Sequence, residues 1–289
     1  RRAYDAAFRA APTDARLLYE RDQLWKRTGA PPEKRLRELE RHPTLVRSRD
    51  DLSIELCALY NQTGRPELAL PILRSRKFQP WEGGEGLALG QHVRTHLLLG
   101  RAALARGDAP AAIAAFDAAL EAPANLGEAR HLLANAADVH FWLGEALAAT
   151  GLRADARQQW RAAATFRGDF QAMSVKAFSE LTYYSALAWR RLGRPAKGAQ
   201  LLRELFAHAR QLAKAPANID YFATSLPTML LFDDDLTARQ QTTALFLEAQ
   251  AHLGLGEEVA ARRLLRQVLR RDPNHAPACD LVTAPPSFE

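Results

Sequence analysis

Two glutamates three positions apart come nearest to a catalytic pattern in this chain. Glu82 and Glu85 lie in the glycine-rich stretch KFQPWEGGEGLALG at residues 77–90. Two carboxyl groups roughly 5 to 9.5 Å apart can act as acid and as nucleophile or base in glycoside hydrolysis. Trp81, directly before Glu82, could stack on such a ligand. The other interpretation is structural: solvated loop carboxylates, and a tryptophan that packs against the end of a helix pair.

Other chemical patterns are absent from the sequence. The spacing of His131, Asp138 and His140 matches neither HExxH nor another metal-binding pattern. Gly83 and Gly84 are not followed by the Lys-Ser/Thr pair of a phosphate-binding loop. No Ser–His–Asp or Cys–His arrangement has a signature. We therefore predict no metal and no cofactor.

The candidate residues lie in a chain that repeats. Residues 95–120 align with residues 139–164 without a gap. Both segments contain Leu-Gly, then a turn glycine, then a small–aromatic–small pattern. The aligned pairs are Gly100 with Gly144, Gly107 with Gly151, Ala112 with Ala156, and Phe116 with Trp160. Small residues let two antiparallel helices approach closely, and the aromatic side chain fills the space between them. The pattern resembles the tetratricopeptide repeat (TPR).

The spacing of the turn glycines gives the length of the repeat. They fall at 29, 64, 107, 151, 193 and 256, at intervals of 35, 43, 44, 42 and 63 residues, whereas a TPR has a period of about 34. We therefore predict an all-α, right-handed TPR-type solenoid of about six helix pairs over residues 1–275. The excess predicts insertions near 77–92, 123–137, 165–178 and 209–238, stacked along one edge. Residues 276–289 are predicted to be a flexible tail.

A more specific resemblance covers residues 30 to 275. The stretches FQPWEGGEG, NLGEAR, VHFWLG, NIDYFATSLP and LFDDDLTARQ resemble the C-terminal TPR array of large bacterial proteins that carry an N-terminal β-sandwich domain of unknown function. The resemblance implies that this chain is part of a longer protein with an upstream domain. It also implies a link to carbohydrate, because the sandwich looks like carbohydrate-active folds.

The first helix of each TPR pair lines the concave groove, so its outward positions are candidate ligand contacts. Their mixed charges and aromatic rings suit a peptide or a sugar better than nucleic acid. His140 has an alternative interpretation as a semi-buried structural histidine. The groove candidates are Arg94, Arg101, His140, Phe141, Trp142, Glu180, Tyr183 and Arg190, with Asp138 and Glu145 as further candidate acids. Trp81, Asp220, Tyr221 and Asp233 are candidates from the insertions.

Composition limits the classes of protein. No apolar run approaches the roughly 18 residues of a membrane span, so no membrane is expected. The net charge of +6 and pI of about 9.6 raise the question of nucleic acid. However, basic and acidic residues are interleaved, and the stripe of Arg262, Arg266 and Arg270 fits the solvated face of a last helix. Two cysteines without a CxxC spacing suit a reducing compartment, which predicts a cytoplasmic location.

Two functions follow as hypotheses. The first is a non-catalytic scaffold that binds a protein or peptide partner, or its own upstream domain. The second is a helical domain that contributes binding or acidic residues to a carbohydrate-active enzyme. We expect this chain alone to be no enzyme.

Overall fold

The computed structural model describes residues 1–79, 81, 83–166, 168–171, 174–217, 232 and 235–283. Within these ranges the chain forms fifteen α-helices, one short 3-10 turn at Ala124–Leu126 and one two-stranded sheet. The helices are α1 Arg2–Ala10, α2 Ala15–Arg27, α3 Pro32–Glu40, α4 Pro43–Ser48, α5 Asp50–Gln62, α6 Pro66–Ser75, α7 Leu87–Ala105, α8 Ala109–Leu120, α9 Ala137–Ala149, α10 Arg153–Thr165, α11 Thr182–Arg191, α12 Pro195–Leu212, α13 Leu236–Gly254, α14 Glu258–Arg271 and α15 Ala276–Thr283.

Six antiparallel helix pairs follow one another along the chain. The glycine that closes each pair has a φ between +71° and +85°, a left-handed conformation that favours glycine over other residues. The pairs are α2/α3, α5/α6, α7/α8, α9/α10, α11/α12 and α13/α14. The predicted TPR-type solenoid is therefore confirmed.

Two buried glycines let the helices of a pair approach closely. A Cβ added to Gly100 would lie 2.5 Å from Cε1 of Phe116, and one added to Gly144 would lie 2.4 Å from Nε1 of Trp160. Both distances are far inside van der Waals contact. The glycine of each Leu-Gly pair thus leaves space for the aromatic ring of the second helix.

Gly144→Ala should therefore destabilise the fold, although alanine favours helix. We expect the free energy of unfolding to fall by about 1–3 kcal/mol, because a well-packed core cannot absorb an added methyl without displacement. Gly90→Ala is the matched control, since Gly90 is also helical but has open space around its Cβ position. It should gain up to about 1 kcal/mol. Urea denaturation of the two variants checks this, and equal stabilities would contradict the packing role of Gly144.

The third insertion contains the one short sheet of the described residues. Strands β1 Asp169–Gln171 and β2 Ser174–Lys176 form a short antiparallel hairpin after α10. Gly168, with a φ of +69°, turns the chain out of α10 just before β1. The extended segment that follows contains Phe and Val, which favour strands.

Hydrogen bonds join successive insertions along one edge. The amide N–H of Phe78 donates to the carbonyl of Asn125 at 2.8 Å, which joins the first insertion to the second. Asn135 continues the series, because its Nδ2 donates to the carbonyl of Gly168 at 3.1 Å. Most of the fourth insertion, including residues 218–231, lies outside the described residues.

The first and last repeats meet. Nη1 of Arg35, in α3, donates to Oδ1 of Asn274 at 2.8 Å. Nδ2 of Asn274 donates in turn to the carbonyl of Ala30 at 3.1 Å. The row of helix pairs thus curves back until the segment after α14 contacts the turn after α2.

The sequence predicts a flexible tail from residue 276, which is wrong for residues 276–283. These residues form α15, and its Ala278 and Leu281 side chains are buried. Asp280 of this helix forms an ion pair with Arg94 on α7, which holds α15 in the concave groove of the solenoid. Residues 284–289 lie outside the described part of the chain.

Candidate ligand-binding site

A cavity of about 970 Å³ lies in the concave groove. It is bounded by the first helices of successive pairs, by the first two insertions and by α15. On α7 the lining side chains recur at 94, 97, 98 and 101, which is the spacing of one helix face. The repeat therefore positions the site, because four successive first helices, α7, α9, α11 and α13, contribute residues to the cavity. Its polar and aromatic lining residues include Trp81, Glu85, Arg94, Arg101, Glu128, Arg130, His131, Asp138, Trp142, Glu180, Tyr184, Gln250 and Asp280.

On the basic wall of the cavity, an arginine pairs with a carboxylate of the chain itself. Nε and Nη2 of Arg94 donate to the two oxygens of Asp280 at 2.9 and 2.8 Å. This paired geometry is the strong form of an arginine–carboxylate contact. Nη2 of Arg101 donates to the Asp280 carbonyl at 3.0 Å, and its guanidinium lies 5.1 Å from the ring centre of Trp142. The α7 side of the groove therefore contacts both the side chain and the backbone of a helix.

The opposite wall carries acids and acceptors. Burial, with a smaller contribution from the nearby Glu180, raises the pKa of Asp138 to about 6, against the opposing effects of the Val139 amide and Arg130. Gln250 is 2% exposed, and its Nε2 donates to the Glu180 carbonyl at 3.0 Å. A carboxyl group with a raised pKa inside a cavity is a feature of functional sites.

Seven of the candidates from the sequence line this cavity. They are Trp81, Glu85, Arg94, Arg101, Asp138, Trp142 and Glu180. They come from α7, α9, the first insertion and the segment before α11, so the repeat pattern does bring them together. Their role in binding remains a prediction. Glu82, Asp220, Tyr221 and Asp233 lie outside the described residues.

Two aromatic candidates are buried in the core instead, which corrects their prediction as groove residues. Phe141 and Tyr183 are 2% and 0% exposed and belong to one hydrophobic cluster. The physical reason is register, because successive helical positions differ by about 100° around the axis. Trp142 and Tyr184, one residue later in each helix, line the cavity.

Three polar candidates also point elsewhere and are corrected. Glu145 forms an ion pair with Arg191 at 2.7 Å. Nη1 of Arg190 donates to the carbonyl of Gly254 at 2.7 Å. His140 is half-buried, with Nδ1 2.7 Å from Oε1 of Gln159, and burial lowers the pKa of its ring. Glu145 and Arg190 therefore join neighbouring repeats, and His140 joins the two helices of its own pair.

The WEGGEG loop is in large part structural. The Trp81 ring packs over Gly84, where an added Cβ would lie 2.0 Å from its Cε2, and against the cluster that contains Leu126. The Glu128 carboxylate accepts from the amides of Gly86 and Leu89 at 2.5 and 2.7 Å, and so caps the start of α7. Glu85 is exposed and accepts from the amide of Gly83 at 2.9 Å.

Six of the lining residues named above are not among the candidates from the sequence: Glu128, Arg130, His131, Tyr184, Gln250 and Asp280. Tyr184 could have been found by shifting the helical register by one position. Glu128 and Arg130 come from the second insertion, which has no regular period, and Asp280 comes from the segment predicted to be a tail. No signal in the sequence indicated these three.

Comparison with known proteins supports the repeat. Residues 93–118 and 137–162 match one tetratricopeptide repeat family model, and residues 243–275 match another. These three segments are tetratricopeptide repeats. Two solved structures of nearly identical TPR-like repeats, from a Podosopora anserina protein described as a putative kinesin light chain and from a form of it with a single substitution, are each 16% identical to this chain. They cover 84% of it, and 98% and 97% of their own chains, at a TM-score of 0.33.

Two features are absent from the described ranges. No helix there is both long and apolar enough to cross a membrane. Nor does that part of the chain contain a group of three or more His, Cys, Asp or Glu side chains placed to hold a metal ion.

Proposed function

We propose that this protein is a non-catalytic scaffold whose groove binds a segment of a protein partner. The partner is a peptide from another protein or an upstream domain of the same one. TPR arrays bury ligands against the first helices of their repeats, and here four successive first helices line a cavity of about 970 Å³. This cavity is the observation that carries the proposal.

The way α15 lies in the groove supports a polypeptide ligand. Arg94 holds the Asp280 carboxylate, Arg101 holds the carbonyl of the same residue, and Leu281 is buried. The groove thus offers contacts for a charged side chain, a backbone group and an apolar side chain of one helix. The space beside α15 can take a partner segment that uses the same kinds of contact.

Peptide display tests the proposal. A random peptide library is panned on the immobilised chain, and binding of the selected peptides is measured by calorimetry. Leu98→Arg places a charge on the cavity wall and should weaken binding at least tenfold, which is about 1.4 kcal/mol. Val259→Arg is the matched control, because Val259 is exposed on α14, away from the cavity, and it should bind like the native chain.

Two outcomes would overturn the proposal. One is that the library and the upstream domain both yield no binder. The other is that Leu98→Arg and Val259→Arg bind the selected peptides equally well, which would place the contact outside the groove. Circular dichroism of both variants shows whether the fold is intact.

A carbohydrate-active role is the second candidate. The observation that favours it is the raised pKa of Asp138, about 6, in a cavity that also contains Glu180 and Trp142. Calorimetry against a panel of neutral oligosaccharides tests it. Binding that Trp142→Ala abolishes would support this candidate, and no binding to any member would remove it.

A further inference from the structure

One corner of the cavity has more acceptors than donors. It lies where the segment before α11 meets α9 and α13, and Asp138, Glu180 and Gln250 form it. Since Nε2 of Gln250 donates to the Glu180 carbonyl, the orientation of the amide is fixed and Oε1 faces away from that carbonyl. Oε1 is buried and accepts no hydrogen bond from the part of the chain that the structure describes. A buried acceptor left unsatisfied costs about 1–3 kcal/mol.

The carboxylates of this corner are incompletely neutralised. Oδ1 of Asp138 accepts from the Val139 amide at 2.8 Å, and Arg130 is the cation that acts on the Asp138 charge. Among the described residues, Glu180 has no ion pair. Arg94 is neutralised by the Asp280 carboxylate, whereas Arg101 donates to the Asp280 carbonyl and lies against Trp142. The acceptors left in the corner are therefore the Glu180 carboxylate and Oε1 of Gln250.

Aromatic rings complete the corner. Trp142 and Tyr184 line the same cavity. Burial raises the pKa of Tyr184, while Arg101 lowers it and Asp138 raises it, so the Asp138 charge reaches the Tyr184 hydroxyl. Carboxylates beside aromatic faces attract ammonium and guanidinium groups. An anionic ligand would instead meet two carboxylates and an acceptor.

We infer that this corner binds a basic side chain, lysine or arginine, of the partner segment that occupies the groove. The inference rests on the proposed function and adds the chemistry of the ligand. The cation donates to the Glu180 carboxylate and to Oε1 of Gln250, and its charge balances that of Glu180. A neutral sugar would satisfy Oε1 but would leave the Glu180 carboxylate without a counter-charge.

The test uses small probes of one side chain. Binding of Nα-acetyl-arginine amide and Nα-acetyl-lysine amide is followed by tryptophan fluorescence and by NMR titration. Nα-acetyl-citrulline amide, which has nearly the shape of the arginine probe without its charge, is the neutral control. We expect at least one of the two basic probes to bind with a Kd on the order of 1 mM, and citrulline at least tenfold more weakly.

Matched variants locate the contact. Glu180→Gln keeps the shape of the side chain and should weaken binding of the basic probe at least tenfold, a change of about 1.4 kcal/mol. Gln250→Leu should weaken it as well. Glu67→Gln, at an exposed position of α6 outside the cavity, should bind like the native chain.

The results separate this inference from the proposed function. Citrulline binding equal to arginine, or an unchanged affinity in Glu180→Gln, would overturn the cation site. Selected peptides whose binding depends on Leu98, but which are not enriched in lysine or arginine, would also overturn the cation site. The scaffold function would then stand. If display yields no groove-dependent peptide, the scaffold function fails as well.

Discussion

Arg35→Met should lower the free energy of unfolding by about 3–5 kcal/mol, because it would leave the buried Asp22 carboxylate without the cation it pairs with. Arg35 is 1% exposed. Its Nε and Nη2 donate to the two oxygens of Asp22 at 2.9 and 2.5 Å, and Nη2 also donates to Glu55 at 2.7 Å. Methionine fills much of the same space but supplies no charge and no donor.

Chemical denaturation measures this effect, and two variants control it. Arg262→Met removes an exposed arginine that pairs with the exposed Glu258, and such surface pairs contribute less than about 1 kcal/mol. Asp22→Asn added to Arg35→Met should recover part of the loss, because it removes a buried charge. A loss below about 1 kcal/mol for Arg35→Met, or no recovery in the double variant, would show that the network contributes little.

The Arg35 network also affects the groove. Arg35 reaches Asn274, whose side chain contacts the backbone of the first repeat. Asn274 shortly precedes α15, the helix that forms one wall of the cavity. Arg35→Met should therefore loosen the contact between the first and last repeats, as well as lower global stability.

The repeat and its turns were predictable because their physics is local. A left-handed turn requires glycine at the six turn positions, and the close helix contact requires glycine beneath Phe116 and Trp160. These requirements appear in the sequence at a fixed spacing. The first helices could be identified in the same way, and this placed Arg94, Arg101, Asp138 and Glu180 on one cavity.

The remaining features depend on contacts between distant parts of the chain. The Arg35–Asn274 contact spans 239 residues and the Arg94–Asp280 pair spans 186, so no local pattern reveals them. The sequence analysis assigned Tyr183 to the groove instead of Tyr184, and this error has a different cause. Two adjacent tyrosines satisfy the repeat pattern equally well, and only the packing of α11 against its neighbours decides which ring is buried.

Asp138→Asn should raise the free energy of unfolding at pH 7.5, by about 1–3 kcal/mol. Burial and Glu180 raise the pKa of Asp138 from 3.8 to about 6 in the folded protein. Between these two values the folded state holds a proton that the unfolded state releases, so native stability falls as the pH rises through this window. Asparagine mimics the neutral carboxyl group and can still accept from the Val139 amide.

The pH dependence distinguishes this explanation from a simple change of packing. The stability difference between Asp138→Asn and the native chain should be present above pH 6 and should disappear below about pH 3.8. Urea denaturation at several pH values measures it, and a variant no more stable than the native chain at pH 7.5 would contradict it. A buried charge that lowers the stability of the folded protein is better explained by a role in ligand binding than by a role in folding. The same variant should therefore bind the basic probe more weakly while it unfolds less readily, a combination that a purely structural aspartate would not produce.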